Sequence, residues 1–327
     1  MSKFSPYTDL AIEIAENITL NATELEGVEI GKEDCDLDET FVTNVKIVNE
    51  KGVKLMGKPI GNYITLESSY IKENDINAHE KIIALLSKYI KYLCPDINKP
   101  TVLVIGLGNR DVTPDALGPK VVSKILVTRH IIDTVPVDID ESVVSVAALA
   151  PGVMGITGIE TVEVVKGVVD KIQPDLVIAI DALAARKVTR INATIQLSNT
   201  GVAPGAGVGN KRKTLDEETL GVPVIAIGVP TVVDAATMAS DAIDRIIEAM
   251  KNNTTAESQF YNMLSTLQED DKYNLIKEVL EPYSENMFVT PKEVDAVIEN
   301  LANIISNSIN IALHPGITNE DINRYKF

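Results

Sequence analysis

Two aspartates stand out because each follows a segment predicted to be a buried strand. Asp115 lies in GLGNRDVTPDALGP, directly after the apolar run at 101–107, and Asp181 follows DLVIAI at 175–180. Ligands bind at the carboxyl ends of the strands in open α/β sheets, so both carboxylates are expected at one edge of the sheet. Close carboxylates cannot both ionise easily, and one keeps a proton near neutral pH. The ionised acid could then take a proton from water while the protonated acid polarises a carbonyl, which is peptide hydrolysis without serine, cysteine or metal.

Each aspartate also has a simple structural interpretation. Thr113 is a good N-cap and Pro114 suits the first helical position, so Asp115 could merely complement the dipole of the helix that follows. Asp181 ends its predicted strand and opens the segment DALAAR, where it could be a solvated loop residue or a cap. The residues alone leave these alternatives open.

Three basic residues are further candidates for substrate binding. Arg186 follows Asp181 by five positions and could orient a carboxylate or grip a substrate, or form a surface ion pair. Lys211 and Arg212 close the glycine-rich segment 199–212 and would suit an acidic partner residue, although a solvated charge run explains them equally. The length of this segment predicts a functional loop rather than a simple connection.

Other chemistries find little support in the sequence. It has no phosphate-binding GxxxxGK[ST], no GxSxG and no HExxH. The only histidines are His79, His130 and His314, and each stands at an end of a predicted helix, where capping or surface exposure explains it. We therefore predict neither a histidine-based triad nor a metal site, and no cofactor.

Apolar runs without alternation indicate the sheet that must position these residues. Such runs predict strands buried on both faces, and helical segments fall between them, which is typical of a mostly parallel, doubly wound α/β fold. The predicted strands of this core are 101–107, 143–149, 175–180 and 222–227, and the predicted helices are 114–129, 158–171 and 231–250. We divide the chain into an N-terminal strand and helix region at 10–98, this core at 99–252 and a helical C-terminal region at 253–327. Outside the core, strands are predicted at 41–48 and 63–67 and helices at 79–93 and 291–313.

Composition excludes several classes of protein. Among 327 residues, 47 are acidic and 30 basic, and a net charge of −17 argues against a nucleic-acid partner or an anionic membrane surface. Cys35 and Cys94 form no CxxC pair, so free thiols in a reducing compartment are expected. No signal peptide and no run of 18 apolar residues is present, so we expect a soluble, cytoplasmic protein.

Four long blocks, in order, resemble the germination protease family of spore-forming bacteria. They are GLGNRDVTPDALGPKVV, LAPGVMGITGIET, IAIDALAARKVTRINATIQLSNTGVAPGAGVGNKR and VPVIAIGVPTVVDA. The resemblance implies an endopeptidase that cuts small acid-soluble spore proteins in the spore core during germination, and a homotetramer. It also implies an atypical aspartic peptidase in which Asp115 and Asp181 are catalytic, on a fold like that of hydrogenase maturation proteases. In those metal-binding relatives the corresponding acids help to hold nickel, so a metal-dependent peptidase is the alternative.

The resemblance also implies a zymogen that removes its own propeptide. Thr8-Asp9-Leu10-Ala11 resembles the family's cleavage site, so we predict cleavage between Asp9 and Leu10 and a propeptide at 1–9. A third hypothesis, from another class, is a non-catalytic α/β module that binds a nucleotide or a partner through GLGN and the glycine-rich segment.

Overall fold

The computed structural model describes residues 8–21, 25–134, 143–205, 213–252, 278 and 287–318. This part of the chain forms nine strands, ten helices and three short 3-10 turns. The strands are β1 (Val28–Asp34), β2 (Thr40–Ile47), β3 (Gly61–Ser68), β4 (Thr101–Gly106), β5 (Ser145–Leu149), β6 (Leu176–Ala185), β7 (Thr194–Ser198), β8 (Val224–Asp234) and β9 (Phe288–Val289). The helices are α1 (Ala11–Asn21), α2 (Glu50–Met56), α3 (Ile76–Leu93), α4 (Leu117–Val122), α5 (Arg129–Thr134), α6 (Met154–Thr157), α7 (Thr161–Ile172), α8 (Glu217–Leu220), α9 (Ala235–Asn252) and α10 (Val294–Leu313).

The described strands form one mixed sheet in the order β1-β2-β3-β7-β8-β6-β4-β5, with β9 paired to β8. Pairing is parallel for β4 with β5, β4 with β6 and β6 with β8, and antiparallel for the other five pairs. An α/β fold is confirmed, but the prediction of a mostly parallel sheet is not. The link at 186–193 is too short for a crossover helix, so β7 returns antiparallel and joins the N-terminal strands to the parallel part.

The parallel strands are covered by helices on both faces, which explains their uninterrupted apolar runs. Successive side chains of β4 alternate between two cores: Val102 and Val104 pack with α3, α4 and α10, whereas Leu103 and Ile105 pack with α7. The aliphatic residues of these strands therefore serve both cores, one on each face of the sheet.

Several predicted boundaries of strands and helices are wrong. The single helix predicted at 114–129 is a 3-10 turn at Thr113–Asp115 followed by the short α4. β6 does not end before Asp181 but continues to Ala185, because β8 keeps pairing with it over that length. The helix predicted at 79–93 begins earlier, at Ile76, where Asp75 caps it by accepting a hydrogen bond from the N–H of Ala78.

Strands β1, β7 and β9 have no strong apolar pattern and were not predicted. Most of β1 is exposed, and β9 is only two residues long, so neither carries the period of a buried strand. The C-terminal helical region lies largely outside the described residues, but its last helix is confirmed as α10, which packs on α3 and α4. No helix within the described ranges is long and apolar enough to cross a membrane.

A pair of glycines lets β4 and α4 meet backbone to backbone. A Cβ added at Gly106 would lie 2.2 Å from the carbonyl oxygen of Gly118, and one added at Gly118 would lie 2.3 Å from the carbonyl oxygen of Leu107. Such distances are far inside van der Waals contact, and the opposing atoms are backbone atoms that cannot rotate away.

We expect Gly106→Ala to lower the free energy of unfolding by about 1–3 kcal/mol, because the added methyl group forces α4 away from the sheet. Urea unfolding monitored by circular dichroism measures this. The matched control is Gly167→Ala in α7, where a Cβ would meet nothing within 4 Å and where alanine is the better helix former. Equal stability of the two variants would contradict this account of the crossing.

Candidate active site

Asp181 is a buried acid in the middle of a sheet. It is only 4% exposed and pairs with Gly228 of β8, whereas β4 stops pairing with β6 at Ile180. Its Oδ1 accepts a hydrogen bond from the N–H of Ala182 at 2.9 Å. The side chain therefore occupies the point at which one neighbouring strand ends and the other continues.

Asp115 approaches the same point from the connection after β4. The 3-10 turn at Thr113–Asp115 carries it, and its Oδ2 accepts a hydrogen bond from the N–H of Asn109 at 2.7 Å. Gly108 makes this close turn possible: its φ is 108°, and a Cβ there would lie 2.0 Å from the carbonyl oxygen of Asp115. Asp115 is half-buried, so water can reach it.

Both carboxylates line one cavity of about 530 Å³. The cavity lies between the ends of β4 and β6, which are neighbours in the sheet. From there the chain after β4 goes to β5 at one edge of the sheet, whereas the chain after β6 goes to β7 in the opposite direction. Such a switch point is where open α/β sheets bind ligands, and a cavity of this size suits a stretch of substrate. The structure thus brings together the two aspartates that the sequence placed at one edge of the sheet.

Burial raises the pKa of Asp181 well above its usual range, and the charges of Asp115 and Asp9 raise it further. Hydrogen bonds from the N–H groups of Ala182 and Gly205 oppose the shift. The environment therefore favours a protonated Asp181 beside Asp115, which is the asymmetry that acid–base chemistry needs.

Two loops close the cavity. Val153 and Gly155, at the beginning of α6, and Pro204 and Gly205, from the described part of the glycine-rich segment, are among its lining residues. The predicted substrate-binding residues Lys211 and Arg212, in the rest of that segment, lie outside the described residues.

Arg186 does not line this cavity. Its backbone N–H donates to Glu13 at 2.7 Å, and its guanidinium donates to Oδ1 of Asn17 at 3.5 Å, so it contacts α1. Its predicted role in substrate binding stays a prediction.

Arg190, which sequence reasoning missed, is the buried arginine of this region. Its guanidinium donates to both carboxylate oxygens of Glu16, at 2.9 and 2.7 Å, and to Glu67 at 2.6 Å. Burial raises the pKa of Glu16, but hydrogen bonds from Arg190 and Lys187 overcome this and lower it to about 2. No signal in the sequence pairs residues so far apart, since only the fold brings them together.

The N-terminal segment lies against β6 just beyond Asp181. The N–H of Asp9 donates to the carbonyl of Ala184 at 3.1 Å, and the N–H of Ala184 donates to Oδ2 of Asp9 at 2.9 Å. Leu10 is fully buried against Leu183 and neighbouring side chains. The predicted cleavage site is therefore docked next to the cavity.

None of the three histidines is among the cavity's lining residues. His314 is the C-cap of α10, in agreement with the predicted position at a helix end. It is buried rather than exposed, and its Nδ1 accepts a hydrogen bond from the N–H of Val144 at 3.2 Å. In the ranges that the structure describes, no group of three or more histidine, cysteine, aspartate or glutamate residues could hold a metal ion.

Comparison with known proteins places this chain in a family. A family model described as germination protease matches residues 8–259 and 247–326. The chain belongs to the germination protease family. It is 50% identical over 317 residues to a germination protease of Caldanaerobacter subterraneus subsp. tengcongensis, with 97% of each chain covered. It is 51% identical over 319 residues to that of Clostridium tetani, covering 97% of this chain and 98% of the relative. Identity to the germination protease of Bacillus cereus (strain G9842) is 42% over 360 residues, covering 99% and 98%.

Membership of the germination protease family makes the chain a peptidase, as the sequence blocks predicted. The matched residues begin at position 8, so they include the docked Asp9 and both cavity aspartates. In this member of the germination protease family, the two acids line one cavity and the N-terminal segment lies beside them.

We expect Asp181→Asn to stabilise the fold at neutral pH. Because folding raises the pKa of Asp181, its carboxyl group loses the proton more easily in the unfolded chain than in the folded one. The free energy of unfolding of the wild type therefore falls progressively as pH rises above about 4. The stability advantage of the variant should grow by up to about 1.4 kcal/mol per pH unit until the folded-state pKa is reached, and vanish below pH 4.

Urea unfolding at pH 4, 5.5 and 7 measures this difference. Asp170→Asn is the control, because Asp170 lies on the surface of α7 in an exposed ion pair with Lys166. A variant less stable than the wild type at pH 7 would show that Asp181 is not held in its protonated form.

Proposed function

We propose that this protein is an endopeptidase that begins the degradation of small acid-soluble spore proteins during germination, and that Asp115 and Asp181 activate the attacking water. The observation that carries the proposal is the shared cavity, in which burial and the charge of the half-buried Asp115 both raise the pKa of Asp181. Membership of the germination protease family supports a peptidase that acts in germination.

The surroundings of the two acids support different roles. Asp181 is the acid that holds a proton, since burial and two neighbouring negative charges disfavour its ionised form. Asp115 is the base, because a backbone N–H donates to its carboxylate and because it is less buried than Asp181. In this assignment Asp115 takes a proton from water while Asp181 donates a hydrogen bond to the carbonyl oxygen of the substrate.

The docked N-terminal segment supports a zymogen. Asp9 lies on the edge of β6 beside the cavity, where a substrate strand would otherwise approach. Removal of residues 1–9 would free that edge and withdraw the charge of Asp9 from Asp181. Activation would then both open the site and bring the pKa of Asp181 down. We further propose that the enzyme acts as a homotetramer in the spore core.

We expect Asp115→Asn and Asp181→Asn each to lower kcat/KM by at least about 100-fold, because each removes one half of the proton transfer. The assay is cleavage of a small acid-soluble spore protein by enzyme beginning at Leu10, with and without a chelator. Asp170→Asn is the matched control for a lost carboxylate. Near-normal activity of either cavity variant would exclude the two-aspartate mechanism, and loss of wild-type activity on chelation would favour a metal-dependent peptidase.

We expect the full-length chain to lose residues 1–9 on incubation, giving a product whose N-terminus is Leu10. Intact-mass spectrometry detects the product, and Asp181→Asn, which lacks the proposed acid, should stay full length under the same conditions. Processing of that variant at an unchanged rate, or a cut elsewhere in the first twenty residues, would contradict self-cleavage at this bond.

A further inference from the structure

A single hydroxyl group connects the bond between Asp9 and Leu10 to a buried carboxylate. Oγ1 of Thr8 accepts a hydrogen bond from the N–H of Leu10 at 3.1 Å, and the same hydroxyl donates to Oε2 of Glu13. Loss of residues 1–9 would remove this hydroxyl and turn the N–H of Leu10 into an α-ammonium group. The acceptor of that hydroxyl, Glu13, would remain.

Leu10 is held in place by contacts that do not involve residues 1–9. Its side chain is fully buried in a cluster with Leu183. Its carbonyl accepts from the N–H of Ile14 at 3.3 Å, and the N–H of Ala11 donates to Oε1 of Gln196 at 2.7 Å. The new amino group would therefore stay close to the position of the peptide nitrogen from which it forms.

The positions of Leu10 and Glu13 in the chain suit a direct interaction. Leu10 immediately precedes α1, and Glu13 lies in the first turn of that helix, three residues later. In a capping box, a glutamate at this position reaches back to the backbone nitrogen of the residue before the helix. In the intact chain the hydroxyl of Thr8 stands between the two groups, and after its loss they can meet directly.

Glu13 offers the carboxylate that a buried ammonium group requires. It is only 3% exposed, and its oxygens accept from the N–H groups of Arg186 and Lys187 at 2.7 and 2.9 Å. A buried ammonium is costly without an anion, and the N-terminus of a helix disfavours a cation. A carboxylate in the first turn offsets both effects.

The charges around Glu13 leave room for one more cation. The ion pairs of this region contain three carboxylates, those of Glu13, Glu16 and Glu67, but two cations, Arg190 and Lys187. Nη1 of Arg190 lies 3.5 Å from Glu13, whereas its shorter contacts are with the other two acids. The guanidinium of the neighbouring residue 186 donates to an asparagine of α1 rather than to a carboxylate.

We propose that Glu13 is the binding site for the α-ammonium group that cleavage creates at Leu10, and that this ion pair replaces the bridge through Thr8. The inference rests on the proposed cleavage between Asp9 and Leu10. Because Glu13 also binds the first two N–H groups after β6, the ion pair would anchor the end of the strand that carries Asp181. Glu13 is thus a positioning residue and takes no part in proton transfer.

The test measures the protonation of the α-amine in a chain that begins at Leu10. A fusion partner cut from the N-terminus exposes this residue, so the chain is obtained without self-cleavage, and circular dichroism shows that it is folded. Acetic anhydride acetylates only the neutral amine, and mass spectrometry of the N-terminal peptide gives the extent of reaction at each pH. The reference is a free peptide with residues 10–21, which contains no lysine.

We expect half-maximal reactivity at a pH of about 9 or above in the folded chain, against about 7.7 in the free peptide. Glu13→Gln should bring the midpoint to the value of the peptide or below it, because burial then acts without a partner charge. Glu16→Gln is the matched control: it removes another carboxylate of α1 that is paired with Arg190, and it should leave the midpoint raised.

A second variant keeps Glu13 and moves the charge. One glycine added before Leu10 restores an amide at that residue and carries the ammonium group outward. We expect it to lower the Tm at pH 7 by about 2 °C or more. The difference should disappear as pH rises through the midpoint of the amine, because a neutral amine has no charge to pair. This comparison decides the matter if Glu13→Gln does not fold.

The outcomes separate the ammonium site from the proposed processing. A midpoint in the folded chain no higher than in the peptide, an equal fall in Glu13→Gln and Glu16→Gln, or a Tm unaffected by the added glycine overturns the site. A raised midpoint that depends on Glu13, together with a full-length chain that is not cut after Asp9, overturns the proposed processing and leaves the site standing.

Discussion

The site depends on two neighbouring parallel strands, one of which ends several residues before the other. β4 stops pairing at Gly106, while β6 continues from Asp181 to Ala185 with only β8 beside it in the sheet. This difference in length places Asp181 at the end of the β4–β6 pairing and gives the connection after β4 room to carry Asp115 inward. The same difference leaves an edge of β6 on which Asp9 is bound. The acids, the cavity and the docked segment are therefore consequences of one feature of the sheet.

A buried network holds the N-terminal segment on that edge. Glu13, 3% exposed, accepts from the N–H groups of Arg186 and Lys187 and from the hydroxyl of Thr8. Arg190 is bound to Glu16 and Glu67, so one guanidinium links α1 to β3. Glu13 and Arg190 are buried, and a buried charge is strongly destabilising when it loses its partner. Most of these contacts lie on the carboxyl side of the bond between Asp9 and Leu10, so cleavage there would release the propeptide while α1 remains attached.

The parallel core and its helices could be predicted because each element has a recognisable local pattern of apolar residues. β4 and the first halves of β6 and β8 are continuous apolar runs, and α7 and α10 are long enough to show an apolar face. The antiparallel half was harder, since β1 is mostly exposed and β7 is too short to be distinguished by pattern. The end of β6 was misplaced for a related reason: DALAA does not have the composition of a strand, and only pairing with β8 makes it one.

The sequence by itself determined the α/β class, the family and the two aspartates, because these depend on local apolar runs and on blocks of adjacent residues. Only the tertiary structure decided which acid is buried, since burial depends on where the neighbouring strands end. It alone also placed Asp9 against Ala184 and Glu13 against Arg186. Contacts between residues this far apart in the chain leave no local pattern, and the free energy that forms them comes from packing the whole sheet.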